Sequence, residues 1–172
     1  VDAEKITALA QRGREIGAEL LVLDDGWFSR RRDDTSSLGD WWYNRERFPD
    51  GIGTVGDAVR EAGLEFGLWM EPEMVSPDSD LYRAHPEWAL HVPGRESTEG
   101  RNQLILDLAN PAVVDWLFTT VGDVLEEARP TYVKWDMNRT MTEAGSPGLG
   151  PERQGEVMHR YILGLYRLLE RL

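Results

Sequence analysis

Apolar positions along the chain follow two alternating patterns. In four stretches they recur every three or four residues, as on one face of a helix, and each of the first three stretches leads into a short, almost wholly apolar run. This pattern predicts the order helix, strand, helix, strand, helix, strand, helix. The predicted strands are Glu19 to Leu23, Leu64 to Met70 and Thr131 to Trp135, with a further short apolar run at Leu104 to Leu106.

Local signals indicate where the helices begin and end. A residue that stops helices lies just before each predicted strand, at Gly17, Gly63 and Pro130. Asn110-Pro111 combines a capping side chain with a proline suited to the first helical position, so the third helix is predicted to begin there. The fourth helix is predicted to begin near Pro151 and to run to Leu172.

Alternation of helices with apolar strands is typical of an α/β fold with a parallel sheet, because a crossover helix returns the chain to the same end of the sheet. Strands that are apolar on both faces are buried on both faces, which also favours this arrangement. A barrel and a doubly wound sheet both satisfy the pattern. No glycine-rich dinucleotide fingerprint follows a predicted strand, so a Rossmann cofactor site is not expected.

The predicted loops differ in length at the two ends of the strands. Connections from helix to strand take two or three residues, whereas those from strand to helix run from about Gly26 to Asp50 and from Glu71 to Ala109. Parallel α/β folds bind their ligands at the carboxyl ends of the strands. The long loops therefore predict a functional site at that end.

Composition excludes several classes of partner and site. The 172 residues include 19 Lys and Arg against 31 Asp and Glu, a net charge of −12 that disfavours nucleic acid or an anionic membrane as partner. The chain has no cysteine, which excludes disulfides and thiolate metal sites within it. No apolar run approaches the roughly 20 residues of a membrane span. The run Arg30-Arg31-Arg32 is predicted to be a solvated loop, since Asp33-Asp34 follow at once.

The length is sufficient for one domain with a buried core, spanning residues 1–172. The chain begins at Val1 rather than methionine, and its last helix runs to Leu172 without a stop signal. We therefore expect a piece of a longer protein. The expected compartment of the full-length protein is the cytoplasm, and homo-oligomer formation stays open.

Every predicted strand ends in acidic side chains. Asp24-Asp25 follow the first strand, Glu71 and nearby Glu73 the second, and Asp136 the third. Because the ends of parallel strands lie side by side, these carboxylates should converge. Their mutual repulsion is costly unless a ligand with hydroxyls, a metal or another cation lies among them.

The segment Lys134-Trp135-Asp136-Met137-Asn138-Arg139 carries the strongest chemical signal. Side chains alternate along a strand, so Lys134, Asp136 and Asn138 should face one way and Trp135 the other. A lysine on the same face keeps Asp136 ionised, as a carboxylate nucleophile or an anionic anchor requires. Lys134 itself suits binding of a substrate oxygen, a Schiff base or an ion pair with Asp136; the nearby carboxylate disfavours the neutral amine that a Schiff base needs.

Aromatic residues and one arginine suggest a sugar ligand. Five of the seven tryptophans lie at strand ends or in the long loops: Trp27, Trp41, Trp42, Trp69 and Trp135. An indole offers a flat apolar face and a polar N–H edge that suit a sugar ring, and Trp69 is the favoured stacking residue. Arg101 suits either the binding of hydroxyls or a loop ion pair, and spacing alone does not separate the two.

Five segments together resemble the α-galactosidases of glycoside hydrolase family 36. They are Leu23-Asp24-Asp25-Gly26-Trp27, Leu38-Gly39-Asp40-Trp41, Phe66-Gly67-Leu68-Trp69 with Glu71-Pro72-Glu73, Gly100-Arg101-Asn102-Gln103, and Lys134 to Arg139. The resemblance implies a (β/α)8 TIM barrel, of which this chain supplies roughly strands two to four. It also implies a retaining mechanism that releases terminal α-linked galactose from sugars such as melibiose and raffinose.

The resemblance also implies roles for individual residues. Asp136 matches the nucleophile that forms a covalent galactosyl-enzyme. The residues that match sugar contacts are Asp24, Asp25, Trp69, Arg101, Lys134 and Asn138. The implied partner is a galactoside substrate, with no metal and no organic cofactor.

Two parts of the family pattern are missing from the chain. Retaining hydrolysis needs a second carboxyl about 5–5.5 Å from the nucleophile, and in the family it lies on a later strand, in a Ser-Asp-Asn-type segment. The family's Cys-Ser-Gly-Gly-Gly segment is also absent. We therefore expect the isolated chain to be inactive.

Two other enzyme classes stay open. One is a transglycosylase that builds raffinose-type sugars, which acceptor-site loops separate from hydrolysis. The other is a lyase or isomerase in which Asp25, Glu71 and Asp136 bind Mg2+.

Overall fold

A three-stranded parallel sheet forms the centre of the computed structural model, which describes residues 2–172. Its strands are β1 (Leu20–Leu23), β2 (Glu65–Met70) and β5 (Tyr132–Trp135), in the order β1-β2-β5. The three strands predicted from the apolar runs are confirmed, as is the α/β class with a parallel sheet. The central strand β2 is buried beyond its first residue, as expected for a strand covered on both faces.

The four predicted helices are also present. They are α1 (Ala3–Glu15), α2 (Ile52–Glu61), α4 (Pro111–Ala128) and α5 (Val157–Arg171), the last preceded by a 3-10 turn at Pro151–Glu156. Asn110 caps α4 as predicted, since its side chain accepts the backbone N–H of Ala112 at 3.0 Å. The helices pack side by side in the order α1, α2, α4, α5.

A close backbone contact fixes α2 against α4. A Cβ added at Gly53 would lie 2.7 Å from the carbonyl oxygen of Glu127, and one added at Gly56 would lie 2.9 Å from that of Ala128. Glycine is therefore required at both positions if α2 is to meet the last turn of α4 at this distance.

The two long loops are folded rather than irregular. The second contains a short antiparallel pair, β3 (Met74–Val75) with β4 (Leu104–Ile105), and the helix α3 (Asp80–Ala84). Asp40 of the first loop is buried and accepts the backbone N–H groups of Asp80 and Leu81, each at 3.0 Å. Burial raises the pKa of Asp40, while these two hydrogen bonds oppose the rise. The contact joins the two loops over the carboxyl end of the sheet.

Across residues 2–172, no helix combines the length and the apolar character that crossing a bilayer demands.

Candidate active site

The strand register brings three polar side chains to one level of the sheet. Leu23 lies opposite Leu68, and Trp69 lies opposite Lys134, so Asp24, Trp69 and Lys134 follow one another across β1, β2 and β5. Residues in register on adjacent strands point to the same face. The ammonium of Lys134 accordingly reaches over β2 to the carboxylate of Asp24, with Nζ 2.8 Å from Oδ2.

Asp136 lies just beyond the end of β5 and accepts three hydrogen bonds. Its Oδ2 accepts from the indole Nε1 of Trp69 at 3.0 Å and from Nδ2 of Asn138 at 2.7 Å, and its Oδ1 accepts the backbone N–H of Met137 at 3.0 Å. Burial raises the pKa of Asp136, but these donors together outweigh it and hold the pKa below its ordinary value. The carboxylate is thus held in its ionised form.

Lys134 forms its ion pair with Asp24, so the ion pair with Asp136, one of the three alternatives for Lys134, is not formed. The charge of Lys134 still lowers the pKa of Asp136, though by less than the hydrogen bonds from Asn138, Trp69 and Met137. The hydrogen bond to Asp24 raises the pKa of Lys134, which favours the ammonium and argues against Schiff-base chemistry. The register of the three strands brings Lys134 to Asp24, and the sequence of each strand taken alone does not predict this ion pair.

Asp25 is held by an arginine that the sequence pattern did not single out. Arg31 is 3% exposed, and its Nε and Nη2 reach both carboxylate oxygens of Asp25 at 2.8–3.2 Å. Its Nη1 also donates to the carbonyl of Ser36 at 2.6 Å. The prediction that Arg30-Arg31-Arg32 is a solvated run is therefore wrong for its middle residue. A turn between residues 25 and 31 brings the two side chains together. A buried guanidinium is stable only when it is paired, and Asp25 is its partner here.

The two glutamates after β2 point into the protein. Glu71 is buried and accepts the backbone N–H of Asn138 at 2.6 Å. Glu73 is also buried and accepts from Nε1 of Trp135 at 3.0 Å and from the hydroxyl of Tyr161. Of the acids at the strand ends, Asp24 and Asp25 are therefore exposed and Asp136 is partly buried at the carboxyl end of the sheet, which we call the mouth. The indole of Trp135 points away from it to Glu73, as predicted.

The proposed magnesium ligands do not come together. Asp25 is engaged by Arg31, and Glu71 is turned towards Asn138. Nowhere in residues 2–172 are three or more His, Asp or Glu side chains grouped so that they would hold a metal ion. The interpretation with Asp25, Glu71 and Asp136 as a Mg2+ site is contradicted by this arrangement.

Most of the mouth-side tryptophans are packing residues. Trp27 and Trp41 are each 1% exposed and form an aromatic cluster with Phe28 and Trp69, with ring centroids 4.7–6.5 Å apart. A sugar-stacking role for Trp27 and Trp41 is therefore wrong. Trp69 is 3% exposed, so it presents its N–H edge rather than an open ring face. Trp27 fixes that edge, since its Nε1 donates to the carbonyl of Trp69 at 2.8 Å.

Arg101 lies on a tight turn beside the mouth. It and Asn102 both have positive φ, 55° and 58°, and Gly100 and Gln103 close the turn by two backbone hydrogen bonds. The Arg101 side chain is half exposed, with Nη2 3.9 Å from the carboxylate of Asp34. Its guanidinium remains open to a ligand.

A second buried arginine, Arg139, anchors that turn to the segment after Asp136. Arg139 is 7% exposed and donates to the carbonyls of Gln103 and Thr98, each at 2.7 Å. It also donates to the hydroxyl of Thr142 at 2.7 Å. The sequence placed Arg139 in the same hexapeptide as the nucleophile candidate but gave no sign of its burial.

Comparison with known proteins identifies the family. The model of the melibiase family matches residues 1–172. The α-galactosidase AgaA of Geobacillus stearothermophilus is 57% identical over 169 residues, which are 98% of this chain and 23% of that protein. The α-galactosidase Mel36A of Lactobacillus acidophilus is 45% identical over 169 residues, again 98% and 23%. The chain thus spans about a quarter of the length of these curated relatives.

Solved structures agree with the sequence matches. The crystal structure of AgaA, a family 36 glycoside hydrolase, superposes with a TM-score of 0.95 at 56% identity, covering 99% of this chain and 24% of that chain. The α-galactosidase of Lactobacillus brevis gives a TM-score of 0.94 at 49% identity, covering 99% and 23%. The chain therefore belongs to the melibiase family, among the α-galactosidases of glycoside hydrolase family 36.

Proposed function

We propose that this chain supplies the nucleophile of a retaining α-galactosidase, in which Asp136 attacks the anomeric carbon of a terminal galactose. The observation that carries the proposal is the set of three donors around Asp136, which favours the ionised carboxylate. Attack forms a bond from a carboxylate oxygen to the anomeric carbon and releases the sugar that was linked there. Water then hydrolyses the galactosyl-enzyme with retained configuration.

The proposed galactose contacts are the polar groups that surround Asp136 at the mouth. Asp24 and Asp25 accept hydrogen bonds from sugar hydroxyls, and Lys134 donates a hydrogen bond to a sugar oxygen. Asp24 and Lys134 are about half exposed, with side-chain exposures of 56% and 44%, so their pair is accessible to a ligand. Hydrogen bonds to hydroxyls next to the anomeric carbon strengthen as positive charge develops there, which lowers the barrier. Arg101 contributes a further donor from the rim.

The substrate class follows from relatives rather than from this chain. Variants of AgaA have been crystallised with raffinose and with stachyose. We propose that the same kind of α-linked galacto-oligosaccharide occupies the mouth formed by β1, β2 and β5.

The second carboxyl is proposed to lie outside these residues. Among the mouth acids, Asp25 is paired with Arg31 and Asp24 with Lys134, an arrangement that suits the binding of sugar hydroxyls. A general acid needs a carboxyl that keeps its proton until the leaving oxygen takes it. We propose that β1, β2 and β5 are the second to fourth strands of a (β/α)8 barrel, and that a later strand supplies this acid. Residues 1–172 alone are then expected to lack turnover.

Replacement of the nucleophile tests the proposal in the full-length enzyme. Asp136→Ala is expected to abolish turnover of p-nitrophenyl α-galactoside while galactose binding, followed by calorimetry, remains measurable. Azide, a small anion that fits the vacated space, should restore turnover and give the β-galactosyl azide, because it attacks in place of the carboxylate. Asp123→Ala, an exposed aspartate near the far end of α4, is the matched control. Undiminished turnover in Asp136→Ala would overturn the assignment.

A further inference from the structure

Glu71 is a buried carboxyl beneath Asp136, and the proposed reaction does not use it. It is 1% exposed, and its Oε1 accepts the backbone N–H of Asn138 at 2.6 Å. Across residues 2–172 no lysine or arginine forms an ion pair with it. A buried carboxyl without a paired cation is costly, and the hydrogen bonds that it accepts must offset that cost.

Asn138 connects this carboxyl to the nucleophile. Its backbone N–H is bound by Glu71, and its side-chain Nδ2 donates to Oδ2 of Asp136 at 2.7 Å. Residues 136–138 lie beyond the end of β5, so strand pairing does not fix the backbone at Asn138. The hydrogen bond to Glu71 holds the backbone N–H of Asn138 directly.

Gln103 closes the other side of Glu71. Its Nε2 lies 3.5 Å from Oε2 of Glu71, while its own Oε1 is buried without a partner in the described part of the chain. Burial raises the pKa of Glu71, hydrogen bonds from Asn138 oppose the rise, and the charge of Asp136 adds to it. The charge of Arg101 also opposes the rise. In either protonation state Glu71 offers an acceptor oxygen to the Asn138 N–H.

On the premise that Asp136 is the nucleophile, we propose that Glu71 is a positioning residue: it acts through Asn138, fixing that residue's backbone so that its side-chain amide stays on Asp136. The interaction that matters is the acceptor oxygen on Glu71, not its charge. Glutamine reproduces that oxygen, and leucine fills a similar volume without it.

Two substitutions in the full-length enzyme test the proposal. Glu71→Leu is expected to lower kcat on the order of 10²-fold with KM nearly unchanged, because a displaced catalytic group costs about that much. Glu71→Gln should retain most of kcat. Both variants are uncharged at residue 71, so a difference between them isolates the hydrogen bond. The acid limb of the pH–rate profile should lie at higher pH in Glu71→Leu than in Glu71→Gln, because Asp136 loses a donor that lowers its pKa.

Glu73 provides the matched control. It is 4% exposed and lies two residues further along, but its partners are Trp135 and Tyr161 and it has no link to Asn138. Glu73→Leu and Glu73→Gln are expected to differ in thermal stability and to share the same kcat and acid limb. A merely structural role for Glu71 would give the same result at both positions.

The outcomes separate this proposal from the function on which it rests. Turnover that survives Asp136→Ala rejects the function. Loss of turnover in Asp136→Ala, together with equal kcat and equal acid limbs in Glu71→Leu and Glu71→Gln, rejects only the positioning role. If Glu71→Leu is not recovered folded, Asn138→Ala removes the side-chain amide through which Glu71 is proposed to act on Asp136. Wild-type kcat with a wild-type acid limb in that variant overturns the proposal.

Discussion

The acidic pairs that follow β1 and β2 both lie at the carboxyl end of the sheet but in opposite surroundings. Asp24 and Asp25 are partly exposed, and each is paired with a cation, Lys134 or Arg31. Glu71 and Glu73 are buried, and their donors are neutral N–H and O–H groups. The first pair keeps its charge at the mouth, where a ligand can use it, and the second joins neighbouring segments beneath it.

The comparison teaches that position at a strand end does not by itself indicate a ligand contact. Cations next to a carboxylate favour its ionised form, which suits the binding of hydroxyls. Neutral donors around a buried carboxyl satisfy its oxygens and hold the donors in place. Both pairs consist of acidic residues, so their different roles follow from their hydrogen-bond and ion-pair partners.

Removing the cation from the exposed pair should have the largest effect. Arg31→Leu leaves Asp25 without its fork of donors, and kcat/KM is expected to fall on the order of 10²-fold because the carboxylate is no longer held in place. The kcat/KM of Arg31→Lys should lie between those of the wild type and Arg31→Leu, since an ammonium keeps the charge but not the bidentate geometry. Steady-state kinetics on a galactoside measures the effect. Arg32→Leu, an exposed neighbour, is the control, and equal losses at both positions would contradict the comparison.

Removing a donor from Glu73, the member of the buried pair without a link to Asn138, should affect stability rather than catalysis. Tyr161→Phe deletes the hydroxyl that donates to Glu73, so the free energy of unfolding should fall by about 1–3 kcal/mol while kcat is unchanged. Denaturant titration and steady-state kinetics give the two quantities. Tyr166→Phe, on the exposed face of the same helix α5, should change neither. A loss of kcat in Tyr161→Phe would mean that the buried pair reaches the chemistry through Glu73 as well.

The smallest expected effect is in the pH dependence of stability, where the buried Glu71 and the partly buried Asp136 predict opposite signs. The folded pKa of Glu71 is raised above 4.5, so its contribution to stability is present at low pH and is lost as pH rises through the folded pKa. The folded pKa of Asp136 is lowered below 3.8, so its contribution is present above that value and is lost as pH falls.

Isosteric amides remove each contribution in turn. Relative to wild type, Glu71→Gln should gain stability as pH rises above about 4.5, and Asp136→Asn should gain stability as pH falls below about 3.8. Denaturant midpoints measured from pH 3 to pH 7 give the two slopes. Parallel slopes for the two variants would contradict the opposite pKa directions of Glu71 and Asp136.

Much of the fold was readable from the sequence because helices and buried strands leave periodic signals. The three strands and four helices fall where the apolar pattern predicted them, and α4 begins at its predicted cap, Asn110. The hexapeptide also gave Asp136 and Asn138 on one side and Trp135 on the other, because alternation in a strand is a local property.

What the sequence could not supply were contacts between segments. Lys134 reaches Asp24 only because β2 lies between their strands in this register, and Arg31 reaches Asp25 only because the loop turns back. The inward direction of Glu71 depends on the chain beyond β5 passing over it. Trp27 is buried because the first long loop folds back onto β2, where the indole N–H meets the carbonyl of Trp69, whereas the sequence shows only an indole in a loop.

The hydrogen bond from Trp69 to Asp136 has an optical consequence. Indole fluorescence responds to charge near its N–H edge, and this edge lies 3.0 Å from a carboxylate oxygen. Formation of an ester between Asp136 and galactose would neutralise that charge without moving the ring, which is packed among other aromatic residues. The emission of Trp69 would then change during each catalytic cycle. A rapid-mixing fluorimeter would follow formation and decay of the intermediate without any added label.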